Sequence, residues 1–332
     1  MNKRFNSLSI YRLIATLCII QYHVFFVLYN RNIPYETLLS KAVQGLTALS
    51  GFLYSQKVIS DNKKFLLNNI LKIVVPAVLC IGFMAIWNLT YMFINKDWNY
   101  FALWTGRRTF DNSWLIQFGN FYYLGYILAC YLITPVLKKN NIWSVVVIIL
   151  SIGFDVTIGY LFGSSFMMIA YIAGYYIGRK WYATYVDKEK KFNIWVLILW
   201  IAIVGVCLAS YFVLLKHPYG SGLTMWRLHT LTKNVPLTLF GIGSFFLISY
   251  IFKFTNKYET FKVLMYTDSI CLMMFLMNQC FMVGAMNITV GIEVNWAKFL
   301  LVNAVTIATS VLLKLVYDLI RKRFVRKEVE AS

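Results

Sequence analysis

Charge is scarce in this chain. Lys, Arg, Asp and Glu together make 14% of its 332 residues, and hydrophobic residues make 60%. Soluble domains carry about 25% charged residues. No single core of this length hides so much apolar surface from water, so a water-soluble globular domain is excluded. Acidic residues are rarer still, 13 against 32 basic ones, for a formal net charge of +19. Histidine occurs three times and proline five times. The six cysteines all lie inside apolar runs and form no CxxC pair, so neither a disulfide framework nor a zinc site is expected. There is no P-loop, no GxGxxG, no GxSxG elbow and no HExxH, which leaves no bound cofactor or metal to expect. The alternation of polar and apolar residues that a transmembrane barrel needs is missing too.

What the chain has is long apolar runs. Each run of about 20 apolar residues is enough for a bilayer-crossing helix. Ten such spans are expected, roughly over 8–29, 38–56, 67–94, 114–137, 142–162, 166–178, 194–215, 235–252, 263–286 and 299–320. The second and sixth carry polar residues or are short, and read as spans buried against protein. Most basic residues fall in segments on one side, among them Lys57, Lys63, Lys64, Lys138, Lys139, Arg179 and Arg321. The positive-inside rule then sets both termini in the cytoplasm. The fold class expected is therefore an all-α polytopic integral membrane protein. No repeat or flexible linker divides it, so 1–332 reads as one domain with a short basic cytoplasmic tail over 321–332. The N-terminal run lacks a small-residue cleavage site and reads as a retained first span. The basic residues anchor topology and are not interleaved with exposed aromatics, so nucleic acid is not an expected partner; the lipid bilayer is. The longest outer loops, about 95–113 and 216–234, carry Arg107, Arg108, Asp111, His217, Arg227 and His229.

An ionised group deep in a bilayer costs at least about 2.5–3.5 kcal/mol, so each one suggests function. The first span carries Arg12 and His23. Eleven residues at 3.6 per turn is close to three turns, so the two share a helix face about 16 Å apart along the axis. Arginine holds phosphate or carboxylate in a fork, and histidine exchanges protons near neutral pH. The bland alternatives are an arginine snorkelling to headgroups and a satisfied core histidine. Asp155 is the deepest carboxylate; it reads as a partner for Arg12 or His23, as part of a polar cavity, or as an interfacial residue. Asp268 reads as a cap for the ninth span, and Lys314 with Asp318 as a structural i,i+4 pair.

In order along the chain, these elements resemble the acyltransferase family 3 membrane proteins, whose first helix carries an Arg and a His with ten residues between them. Arg12 and His23 match that signature. Leu49-Ser50-Gly51-Phe52-Leu53 resembles the SGF element of the second span. The segment from Asn69 through Lys72 to Pro76 resembles the basic-then-Pro start of the third. Asn120-Phe121-Tyr122-Tyr123-Leu124, followed by Tyr131 and Pro135, resembles the HLWYL…Y…P segment, and Tyr266 to Phe281 the late S-x-x-I-Y-L-x-H span. The resemblance covers nearly the whole chain. It departs from the pattern at Asn120 and Asn278, where histidine is usual, and at Lys72, where arginine is common. Asparagine hydrogen-bonds but does not carry protons at neutral pH, so His23 is the one imidazole left in the expected spans.

The resemblance implies transfer of an acyl group, commonly acetyl, from cytoplasmic acyl-CoA as co-substrate to a hydroxyl of a surface or exported carbohydrate or glycolipid, in a bacterial plasma membrane. His23 and Arg12 are the expected catalytic residues. Lys72, Asn120, Tyr122, Asp155, Asn278, Arg107 and Arg108 are the expected substrate- or donor-binding residues, with Lys63 and Lys64 assisting at the donor's 3′-phosphate. A transporter or flippase of glycans or lipid-linked sugars is the alternative from another class. Against it, no inverted repeat or broken-helix pair stands out.

Overall fold

The computed structural model describes residues 5–28, 34–96, 122–162, 166–187, 189–216, 222–259, 261–282 and 286–330. Among these, every regular element is a helix. In chain order they are α1 (Asn6–His23), α2 (Pro34–Ser40), α3 (Ala42–Ser55), α4 (Asn62–Asn95), α5 (Tyr122–Lys139), α6 (Ile142–Phe162), α7 (Met167–Val186), α8 (Ile194–Lys216), α9 (Leu223–Ile251), α10 (Lys262–Met277) and α11 (Asn295–Glu330). A π-helical turn, Val24–Leu28, follows α1, and short 3₁₀ turns follow α9 and α10. Six helices among the described residues are long and apolar enough to cross a membrane: α1, α4, α6, α8, α9 and α11. This is the make-up of an integral membrane protein.

Some boundaries differ from the sequence reading. The stretch 216–234 reads as a loop because it is polar, yet α9 begins at Leu223, directly after Gly222 with φ +112°. Arg227 and His229 are therefore helical residues. Arg227 lies over the Tyr160 ring at 5.6 Å, and His229 is buried. The sixth segment is longer than expected, because α7 runs on to Val186. The ninth is interrupted, since α10 stops at Met277.

The chain divides into two compact units. The first comprises residues 1–19, 37–66 and 126–268. At its centre α3 packs against α7 and α9, with α8 against α9. The α3–α7 approach is close because both helices present glycine. A Cβ on Gly51 would lie 2.1 Å from the Tyr171 carbonyl oxygen, and one on Gly174 would lie 2.0 Å from that of Ala48. Small residues at such crossings replace hydrophobic driving force by tight backbone contact, as membrane helices require. The SGF element is thus a packing device. Phe52, fully buried, stacks on Tyr182 and meets Tyr185, Phe245 and Phe246 edge-on. The start of α1 is fastened here as well: Asn256 Oδ1 accepts from the Ser7 amide (2.9 Å), and Asn6 donates to the Thr255 carbonyl (2.8 Å). These side chains meet backbone groups that a helix end leaves without partners.

The second unit comprises residues 20–36, 67–125 and 269–332. It holds the end of α1 with its π turn, most of α4, the end of α10 and α11. The π turn and α11 both touch the 3₁₀ turn Cys280–Met282. Cys280 contacts Met84 of α4 at 3.0 Å, sulfur to sulfur. Lys314 pairs with Asp318 along α11, as the i,i+4 spacing predicts.

Candidate active site

Two polar side chains of α1 are described each within its own unit, Arg12 in the first and His23 in the second. In the first unit, Arg12 Nη1 donates to Asp268 Oδ1 in an ion pair. Asp268 is the seventh residue of α10, not its cap, and its side chain is 5% exposed while that of Arg12 is 30% exposed. Apolar helices leave a guanidinium few places to discharge its cost, and a buried carboxylate from a second helix is one of them. The turn above is closed by Thr16, whose hydroxyl donates to the Arg12 carbonyl at 2.9 Å.

In the second unit, His23 Nδ1 lies 2.8 Å from Oδ1 of Asn278. Asn278 is fully buried, one residue past the end of α10. Its amide nitrogen donates to the carbonyls of Met274 (3.2 Å) and Phe275 (2.8 Å). The His23 ring also leans against Tyr22, with centroids 5.1 Å apart. Gln21 donates to Asn303 of α11 at 3.2 Å, and Asn303 is held in turn by the Phe299 carbonyl. The π turn starts directly after His23, and such turns occur often at functional sites because they re-aim side chains.

A second polar cluster in the first unit gathers at the end of α3. Lys138 donates to the Ser55 carbonyl at 3.0 Å. The positive charge of Arg179 on α7 lies near enough to act on Lys138. Lys57 sits over the rings of Phe65 (5.0 Å) and Tyr54 (5.2 Å). Cations of α5 and α7 thus come together near the end of α3.

The other expected residues separate. Asp155 partners neither Arg12 nor His23. Its Oδ2 accepts the Ile169 amide at 2.8 Å, in the first turn of α7, where a carboxylate answers the helix dipole. The sequence reading favoured it because it is the deepest carboxylate, but depth does not say which way it faces. Lys72 is exposed on α4. Tyr122 is half exposed at the start of α5. Lys63 and Lys64 are exposed in the first turn of α4, where their amides are capped by Asp61. Arg107, Arg108 and Asn120 lie outside the described residues. Among the described residues no cluster of His, Cys, Asp and Glu has the make-up of a metal site. Asp268 was missed as the partner of Arg12; the available signal was that it is the one carboxylate inside the late motif segment.

An all-helical membrane protein with an arginine and a histidine on its first helix is the class this geometry defines. The family model for the acyltransferase domain matches residues 5–315, nearly the whole chain, and the chain belongs to that family. It is an acyltransferase. No curated protein and no solved structure matches it.

Proposed function

We propose that the protein moves an acyl group, most simply acetyl, from cytoplasmic acyl-CoA to a hydroxyl of a carbohydrate or glycolipid at the outer face of a bacterial plasma membrane. Ten helices cross in this reading, with α3, α5, α7 and α10 added to the six long ones, and both termini are cytoplasmic. The observation that carries it is that α1 bears both Arg12 and His23, each engaged by a specific buried side chain and neither by lipid-facing chance.

In this reading His23 takes the proton of the acceptor hydroxyl. The oxygen attacks the thioester carbonyl, the new C–O ester bond forms, and the C–S bond breaks. CoA leaves as thiolate and is then protonated. General-base help of this kind is worth about 10²–10⁴ in rate. Arg12 holds phosphate or carbonyl oxygens of the donor, oriented by Asp268. Lys138 and Arg179, with Lys57 at the nearby end of α3, are better placed than Lys63 and Lys64 to meet the donor's phosphates, because two cations from different helices come together there.

The test is acyl transfer and free-thiol release from acetyl-CoA by purified protein in nanodiscs, with a panel of membrane glycans and glycolipids as acceptors. CoA release that rises with a carbohydrate acceptor is the expected result. Acyl transfer only to a non-carbohydrate acceptor, or only from another donor, would overturn this reading.

A further inference from the structure

We infer that Asn278 is a positioning residue that holds His23 with its ring proton on Nδ1 and so leaves Nε2 as the basic nitrogen. The inference rests on the reading of His23 as the base and deepens it.

The argument starts from where α10 ends. Where α10 stops at Met277, the Asn278 backbone amide still donates to the Met274 carbonyl at 3.1 Å, and carbonyls of a last turn draw on donors from beyond the helix. Asn278 follows immediately, and its Nδ2 donates to the Phe275 carbonyl at 2.8 Å and to that of Met274 at 3.2 Å. Those two acceptors decide which way the amide points. Flipped, its oxygen would face two carbonyl oxygens with no proton between them, in a position without exposure to water. Opposed oxygens there would repel each other with no water to screen them. The amide oxygen therefore faces His23.

An amide oxygen only accepts. The 2.8 Å contact with His23 Nδ1 is then a hydrogen bond donated by the imidazole, and the neutral ring carries its proton on Nδ1. Nε2 keeps its lone pair, and among the described residues no hydrogen bond engages it. A backbone feature, the termination of α10, is thereby converted into the protonation pattern of a side chain on α1. Asparagine suits the task because it orients the ring without bringing a second charge into an apolar unit. Asn278 in this account does not touch substrate.

The wild-type protein, labelled with ¹⁵N-histidine and held in nanodiscs, tests this directly. Three histidines make the spectrum tractable, and His23 is identified by the signals lost in His23→Ala. The expected spectrum has a protonated Nδ1 and an unprotonated Nε2 for His23. In Asn278→Leu that pattern is lost, and kcat for acyl transfer falls about 10–100-fold, as for other groups that orient a histidine, while KM for the donor stays within about twofold. A wild-type His23 protonated on Nε2 overturns the inference, and that spectrum requires no variant to fold. So does an Asn278→Leu enzyme with unchanged kcat. A merely structural asparagine would lower stability and leave the tautomer where it was. Absence of any acyl transfer by wild type would overturn the proposed function instead, while the spectrum still decides the role of Asn278.

Discussion

Arg12 and Asp268 form an ion pair across 256 residues of sequence, joining the first helix to the tenth within one compact unit. The pair has two consequences. It neutralises a guanidinium among apolar helices, and it fixes the direction in which that guanidinium points. Replacing Asp268 by Ala removes the acid and leaves the charge. The expected cost is about 1–3 kcal/mol of stability, read as a lower thermal-unfolding midpoint in detergent. Donor KM should rise several-fold in parallel. Arg12→Lys keeps the charge but not the planar fork, so donor binding should weaken while the protein remains folded. Donor affinity equal to wild type in Arg12→Lys would show that Arg12 does not hold the donor.

The glycines of the α3–α7 crossing make a second prediction, independent of catalysis. An added methyl at Gly51 or Gly174 would overlap a backbone carbonyl at about 2 Å, and backbone on both sides cannot move aside cheaply. Gly51→Ala and Gly174→Ala should each destabilise by about 1–3 kcal/mol or more. Gly153 and Gly205 have nothing within 4 Å of the same position. Their alanine variants should behave as wild type in size-exclusion profile and thermal stability. Equal tolerance at all four positions would contradict the tight crossing.

The cations at the end of α3 predict a donor phenotype without a chemical one. Lys138→Gln and Arg179→Gln should raise KM for acetyl-CoA several-fold with kcat little changed, since they bind remote phosphates equally in ground and transition states. They should also narrow the difference between acetyl-CoA and its analogue lacking the 3′-phosphate. Steady-state kinetics with both donors checks this. An unaltered preference would assign these residues to membrane topology alone.

The all-helical, membrane-type make-up was legible because apolar length is a one-dimensional property. The Arg12–His23 spacing was legible for the same reason: eleven residues on a helix fix a common face. Partners were not. Asp155 and Asp268 look alike as isolated carboxylates, and only the packing reveals that one caps α7 and the other meets Arg12. Asn278 was flagged by its place in a motif and assigned to substrate. Its facing toward His23 depends on where α10 stops, and the apolar run continuing past Met277 hid that stop. The polar start of α9 read as loop because charge was weighed above helical continuity. Arg227 lies over the Tyr160 ring and His229 is buried, so both polar side chains are taken up by the helix packing.

The central claim is that His23 is the base of an acyl transfer. The most direct test compares purified wild type with His23→Ala in nanodiscs, measuring thiol release from acetyl-CoA and label transfer to acceptor at matched protein levels. The account predicts that His23→Ala inserts and purifies normally, still binds donor, and loses about 10²–10⁴ in kcat. Turnover by His23→Ala at the wild-type rate would contradict it.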